Sequence, residues 1–431
     1  ITERGVKTQL PATTPLPVKK APRNEKITVY EMTSRDFQLD TNAHIDVTAQ
    51  LLKDQNCIRN FQLAISMNKH LFRDKTVLDI GCGTGILSLF AAKAGAARVF
   101  AVDPSSVVDY TRKIVVANKY ENVIEVIKGR IEDVCLPVEQ VDIIVCDWMG
   151  YSLLYQSTCE AVIYARDKWL RRNPSGLIFP DVAKLYIAGF VDPEHKNEKI
   201  EWWKNVYGFN MKCLREFALK EPSFYAVHPQ QIITTEFNVM TLNLYTATLK
   251  DLRFRCLYTL RVWRSDLMDG IATYFQVRFS KSHTPIMFST DPWSPQTHWM
   301  QTVFFFDQAV IVKADEIICG GFEMVPADNE EPNLNNIEVA LELCSSEPVQ
   351  LQVDMHWQMK PHAAWIKQNN IEPVASPPPP PSSSTESHKS ATVKMADSSG
   401  ESQSSILLAA LLYKKVNKNS AGMKENMRKK K

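Results

Sequence analysis

The sequence predicts an α/β domain built on a mostly parallel sheet, followed by a second, antiparallel β domain, a barrel or a sandwich. Three observations carry this reading. A glycine-rich turn lies between a strand-like and a helix-like run at 77–88 (VLDIGCGTGILS). Apolar strand and helix patterns alternate from Val77 to Pro180. After Pro180 the pattern changes to strand-like runs separated by turn residues.

The glycine turn comes first because the rest is arranged around it. Residues 76–80 run apolar into Gly81, Gly83 and Gly85, and Ile86, Leu87, Leu89, Phe90 and Ala91 then resume at helical spacing. A buried strand entering a glycine turn at a helix start opens a nucleotide-binding α/β unit. Glycine tolerates positive φ and lets the backbone approach a ligand that a Cβ would push away. The spacing is GxGxG, not the GxGxxG of dinucleotide sites, and Asp79 sits where a phosphate would be repelled. An acid there suits a ligand with an ammonium group, and S-adenosylmethionine has one. The next strand, 98–102, ends at Asp103, a carboxylate placed to accept both ribose hydroxyls. A purely structural turn is the alternative.

Within the first domain, 46–71 carries Val47, Leu51, Leu52, Ile58, Phe61 and Ile65 at helical spacing, one or two helices ahead of the first strand. Strands are expected at 77–80, 99–102, 123–128, 141–146 and 177–180, with helices at 86–94, 107–119 and 159–170 between them. The second domain has strand-like runs at 183–190, 231–238, 253–264, 272–279, 301–312, 336–343 and 349–358. Inside it, 201–225 reads as helical and aromatic (Trp202, Trp203, Tyr207, Phe209, Phe217, Phe224, Tyr225), either a partner surface or a core helix.

Residues 1–27 read as a flexible arm rich in Pro, Thr and Lys. Beyond Lys367 five prolines at 377–381 open a Ser/Lys-rich tail expected to be disordered or partly polyproline II. Its apolar run at 406–413 is either a docking helix or nothing, and its basic end at 428–431 is either a solvated tail or an aid to nucleic-acid binding or nuclear entry.

Composition narrows the class. The 431 residues are 45% hydrophobic, ordinary for a folded chain of two or three domains. A net charge of +2 does not favour nucleic acid or acidic membranes as obligatory partners. Nine scattered cysteines without a CxxC pair point to free thiols in a reducing compartment, with no metal site and no disulfides. No signal peptide and no apolar run near the ~20 residues of a membrane helix is present, so a cytoplasmic or nuclear protein is expected.

From about Asp36 to Trp365 the chain resembles the protein arginine methyltransferases, in particular their main asymmetric-dimethylating (type I) members. VLDIGCGTGILS is similar to the family's cofactor loop and CDWMGYSLLYQ at 146–156 to its double-glutamate loop. THWMQT at 297–302 is similar to its Thr-His-Trp loop, and EWWKNVYGF at 201–209 to its dimerisation arm. The resemblance implies a Rossmann-like S-adenosylmethionine-dependent methyltransferase domain over 28–180, then an antiparallel β-barrel substrate domain over 181–367. A helical dimerisation arm is implied at about 198–228, and a disordered tail occupies 368–431. It also implies protein substrates with Gly/Arg-rich segments and a homodimer or heterodimer formed through the arm from Trp202 to Phe209, nucleic acid not being required.

The implied chemistry explains the residue types. A guanidinium is planar, delocalised and always charged, so its lone pair is unavailable. Two carboxylates can hold it by paired charge-assisted hydrogen bonds, localising charge on one side and leaving the other nitrogen more nucleophilic. That nitrogen attacks the sulfonium methyl in line, and geometry supplies much of the acceleration.

Carried onto this sequence, the resemblance is partial. The two clamp glutamates fall on Asp147, one methylene shorter, and Gln156, which is neutral. His298 is present with Asp54 at the place of its carboxylate partner, either bracing the pocket or forming a structural pair. Asp79, Gly81, Gly83 and Gly85 agree with the cofactor loop, Asp103 replaces the ribose-binding glutamate, and Glu132 after Ile131 matches the acid that receives the adenine amino group. His44 agrees with a cofactor-side position, although a structural role is the safer reading of a lone histidine. Met149, Tyr151 and Trp299 fall at substrate-side positions. The arginine expected to grip the cofactor carboxylate falls on Cys57, with Arg59 nearby as a substitute. Two lid tyrosines fall on Gln38 and Asn42, and a methionine beside the methyl-accepting site on Leu51.

The implied function is therefore arginine N-methylation with reduced activity. The alternatives are a weak or inactive member that dimerises to regulate a relative, and a methyltransferase for another substrate.

Overall fold

A computed structural model describes residues 43–172, 175–326, 334–345 and 352–359. The arm at 1–27, Gln38, Asn42 and the tail beyond Lys367 lie outside the described residues.

Among the described residues three helices, not one or two, precede the first strand: α1 (Ile45–Lys53), α2 (Gln55–Ser66) and α3 (Lys69–Phe72). Asp54 ends the first and caps the second, its side chain accepting from the Cys57 amide, and this breaks what the apolar spacing reads as continuous. There follow β1 (Thr76–Ile80), α4 (Ile86–Lys93), β2 (Arg98–Asp103), α5 (Val108–Ala117), β3 (Ile124–Lys128), β4 (Ile143–Val145), α6 (Cys159–Trp169) and β5 (Leu177–Phe179). The strands form one parallel sheet in the order β3-β2-β1-β4-β5, with Val77 beside Val99 on one side and Ile143 on the other. The central strands are apolar along most of their length because helices cover both faces, with Asp79 the buried exception inside β1. The order reverses between β1 and β4, and ligands of such sheets bind outside the carboxyl ends of the strands at that switch point.

The chain then enters β6 (Val182–Phe190), which heads an antiparallel sheet in the order β7-β12-β10-β6-β8, with β11 (Ile286–Ser289) paired to β10. Its other members are β7 (Ser223–Tyr225), β8 (Phe237–Asn243), β10 (Asp266–Phe279) and β12 (Gln301–Val312). A second antiparallel sheet runs β15-β14-β13-β9, made of β9 (Phe254–Arg261), β13 (Ile317–Pro326), β14 (Ile337–Ser345) and β15 (Gln352–Met359). Phe304 of β12 meets Trp357 of β15 at 5.2 Å, so the two sheets face each other across a shared core. That core continues into the first domain, where Phe279 lies 5.1 Å from Phe61 and 6.0 Å from Phe179.

Three differences from the sequence reading have physical causes. The strand expected at 231–238 lies at Phe237–Asn243, because Pro229 opens a 3-10 turn and Ile232 makes only a single bridge to Phe190. The helix expected at 201–225 is broken. After α7 (Pro193–Lys199) come two 3-10 turns, α8 (Arg215–Lys220) and β7, with Tyr207 and Gly208 both at positive φ. Asn205 stabilises that break by accepting from the Gly208 amide at 2.9 Å. Strand β13 was not expected, since Gly320 and Gly321 interrupt its pattern. A Cβ at Gly320 would fall 1.7 Å from the Glu342 carbonyl, so the close strand approach excludes a side chain there.

Candidate active site

The cleft outside β1, β2 and β4 is built from the glycine loop upward. Gly81, Gly83 and Gly85 have φ of +67°, +51° and +82°. Space beside Gly81 and Gly83 is open within 4 Å of where a Cβ would sit, so the backbone itself forms a cradle. Asp79 is buried beneath it, its Oδ2 accepting from Ser88 Oγ at 2.6 Å, while Oδ1 has no partner among the described residues. Burial raises the Asp79 carboxyl to about 7; hydrogen bonds from Ser88 oppose this, and the charges of Asp103 and Asp147 add to it.

Asp103 is more occupied than expected. Its Oδ2 accepts from the Gly83 amide at 2.9 Å, and its Oδ1 accepts from the Ser105 amide and hydroxyl. A carboxylate has about four acceptor positions, so three internal donors leave room for about one more and not for two ribose hydroxyls at full strength. The shorter side chain thus braces the glycine loop. Glu132 is half-buried in the loop after β3, 3.4 Å from Arg130 Nε, beside buried Ile131.

The residues expected on the catalytic side converge on the start of α2. Asp54 Oδ1 accepts from the Cys57 amide at 2.9 Å, and its Oδ2 accepts from the His298 amide and lies 2.8 Å from His298 Nδ1. Burial opposes the charged form of Asp54, but the hydrogen bonds from His298 and Cys57 outweigh it and hold the carboxyl below the ordinary range. The Cys57 thiol donates to Asp147 Oδ2 at 3.7 Å, while Asp147 Oδ1 is buried with no partner among the described residues. Burial lifts the Asp147 carboxyl to about 6; His298 pulls it down, Asp54 pushes it up and the thiol pulls it down. Burial, then Asp147 and Asp54, keep the Cys57 thiol far above its usual value, hence protonated. Cys57 thus joins both carboxylates, a link that sequence reasoning missed.

Other expected positions fall differently. Gln156 is exposed at φ +60°, its amide donating to the Leu334 carbonyl, and its side chain makes no hydrogen bond among the described residues. The loop therefore does not bring it to Asp147 by a direct contact. Met149, Tyr151 and Trp299 are buried; Tyr151 packs on Phe224 at 4.6 Å, and Trp299 lies behind the His298 ring at 3.8 Å and against Phe275. Leu51 is partly exposed, Arg59 is exposed, and the half-buried His44 caps α1 through its carbonyl.

Five carboxylates around an open glycine cradle, Asp79 and Asp147 each with a buried oxygen lacking a partner among the described residues, define a cleft for cationic groups in a methyltransferase-type fold. The fit to S-adenosylmethionine is good on one side, since the free Asp79 oxygen suits its ammonium, and poor where Cys57 replaces a carboxylate-binding cation. Comparisons with known proteins agree. Residues 181–346 match the arginine methyltransferase oligomerization subdomain, and residues 57–155 match the ribosomal protein L11 methyltransferase (PrmA). The chain is 44% identical over 305 residues to protein arginine N-methyltransferase 8-B of Danio rerio, covering 71% of this chain and 72% of that one. It is 43% identical over 306 residues to protein arginine N-methyltransferase 1 of Dictyostelium discoideum, covering 71% and 89%. Among solved structures, the Trypanosoma brucei PRMT1 enzyme-prozyme heterotetrameric complex with AdoHcy matches with a TM-score of 0.70 and 32% identity, over 74% of this chain and 100% of that one.

The chain belongs to the protein arginine N-methyltransferase family, whose methyl donor is S-adenosylmethionine. Among the described residues no helix is long and apolar enough to cross a membrane.

Proposed function

We propose that this chain methylates arginine in Gly/Arg-rich protein segments, in the cytoplasm or the nucleus, with Asp147 supplying the anionic hold on the guanidinium. The observation that carries this reading is the buried, unpartnered Oδ1 of Asp147 beside the His298–Asp54 pair. Bound S-adenosylmethionine supplies an electrophilic methyl on a sulfonium. Asp79 Oδ1 receives a cationic group of the ligand, the glycine backbone lets it approach, and Glu132 offers a carboxylate to the base. Asp147 accepts from the guanidinium and Cys57 holds its other oxygen, while Asp54 fixes His298 at the pocket wall.

With Gln156 neutral and exposed, Asp147 alone supplies the loop's anionic hold on the guanidinium. Turnover is therefore slow. Calorimetric titration with S-adenosylmethionine, followed by labelled-methyl transfer to an arginine-rich peptide, tests the assignment. Asp147→Asn should keep cofactor binding and abolish transfer; retained transfer would remove Asp147 from the role.

A second reading is a regulatory subunit that dimerises with an active relative. Its support is the aromatic arm, with Trp202 46%, Tyr207 93%, Phe209 69% and Phe217 68% exposed, within the matched oligomerization subdomain. Cofactor binding without transfer, together with a change in a relative's activity on mixing, distinguishes it.

A further inference from the structure

Away from the cleft, the outer surface of the β domain carries two tryptophans side by side. Trp263, just past β9, and Trp293, in the loop after β11, are each 51% exposed, with ring centroids 6.4 Å apart. Trp293 meets buried Tyr274 edge-on at 6.4 Å, and Tyr274 stacks on Tyr186 at 5.9 Å. The patch is therefore an aromatic ladder with a rigid base and an open top. Large indoles left half in water have an unmet opportunity for burial, and their faces attract cations.

Carboxylates flank this ladder. Tyr274 donates its hydroxyl to Glu236 at 2.8 Å, whereas Asp291 already accepts from the Trp293 and Ser294 amides, both at 2.8 Å, and from the Ser294 hydroxyl at 2.9 Å, so Glu236 is the freer acceptor and Asp291 contributes mainly its charge. Burial first, then Glu236 and Asp291, keep the Tyr274 hydroxyl protonated. The nearby Arg264 is occupied by Asp266 and the Gln230 carbonyl. Arg278 is also close enough to act on Tyr186, but Glu236 acts on it more strongly. Aromatic faces beside two acids fit a guanidinium, which stacks flat on rings while donating from its edges.

The loop bearing Trp293 is also tied to the active site. Asn56 of α2 donates to the Pro295 and Ser289 carbonyls at 2.8 and 3.3 Å, beside Asp54, which holds His298. The same turn of helix positions both His298 and the aromatic loop.

We propose that Trp263 and Trp293, with Glu236 and Asp291, form a docking site outside the catalytic cleft for a second arginine of a multi-arginine protein substrate. It rests on the arginine-methylating reading above and adds to it a preference for substrates with clustered arginines.

The test compares methyl transfer by the full chain to a long peptide with several arginines and to a short peptide with one. Replacing both residues (Trp263→Ala with Trp293→Ala) should raise KM for the long peptide about tenfold, with its kcat and the short-peptide kcat/KM unchanged. Trp263→Phe with Trp293→Phe should restore most of the affinity. An unchanged long-peptide KM overturns the site, and so does an equal loss on both peptides, which would make the indoles structural. If the parent chain methylates neither peptide, the arginine-methylating reading fails by itself, and the docking site is then judged by fluorescence-anisotropy titration of the dye-labelled long peptide. Weaker binding by the double alanine variant upholds it; an equal Kd overturns it. Equally tight binding of an uncharged proline-rich peptide also overturns it, since the patch would then be a general apolar groove.

Discussion

Asp54 and His298, 244 residues apart in the chain, are joined twice: one carboxylate oxygen accepts the histidine amide and faces its Nδ1, both at 2.8 Å. The other oxygen caps α2 through the Cys57 amide. Helix start and pocket wall are therefore one unit.

Asp54→Asn should keep the cap and lose the charge that orients the imidazole, lowering methyl transfer on the order of 10–100-fold. Because the folded carboxyl titrates below its unfolded value, its contribution to stability is present above about pH 4 and is lost as pH falls through the folded value. Urea unfolding of parent and variant at neutral and acid pH reads this: the gap between them should close in acid.

Asp79 and Asp147 have the opposite sign. Burial raises them to about 7 and about 6, so between about pH 4 and those values the native chain binds more protons than the unfolded chain, and stability falls as pH rises. Activity moves the other way, since a cation needs the ionised carboxylates. Transfer should rise from pH 5 to 8, and cofactor binding near pH 6.5 should release a proton, seen as a dependence of calorimetric heat on buffer ionisation enthalpy.

Gln156→Glu should raise kcat about 2–5-fold, because the carboxylate added to the loop is exposed and screened by solvent. The exposed position and unbonded side chain at 156 mean that the substitution disturbs no hydrogen bond among the described residues. No gain in single-turnover transfer would mean that Asp147 alone sets the charge.

In the arm, Tyr207→Ser with Phe209→Ser should convert a dimer to a monomer and lower Tm only by the stabilisation that association supplied, because both side chains are exposed in the single chain and remove no core contact. Light scattering at fixed concentration checks it; an unchanged mass would move the interface elsewhere.

The parallel sheet was legible to within two residues at each strand end, because strands covered on both faces are mostly apolar. Legibility failed where a single residue outweighs the pattern: Asp54 splitting two helices, Pro229 displacing a strand, Gly320 hidden inside one. In the cleft, the acids and glycines could be named in advance, but the occupation of Asp103 by Ser105 and the bond from Cys57 to Asp147 could not.

By itself the sequence determined the α/β class, the glycine turn with its buried acid, and the family resemblance, since local apolar period and short motifs encode these. Only the tertiary structure decided which carboxylate oxygens are free, that Gln156 stands exposed, and that Trp263 meets Trp293. Those facts depend on which distant segments are packed together, and burial and charge at a site are sums over such neighbours.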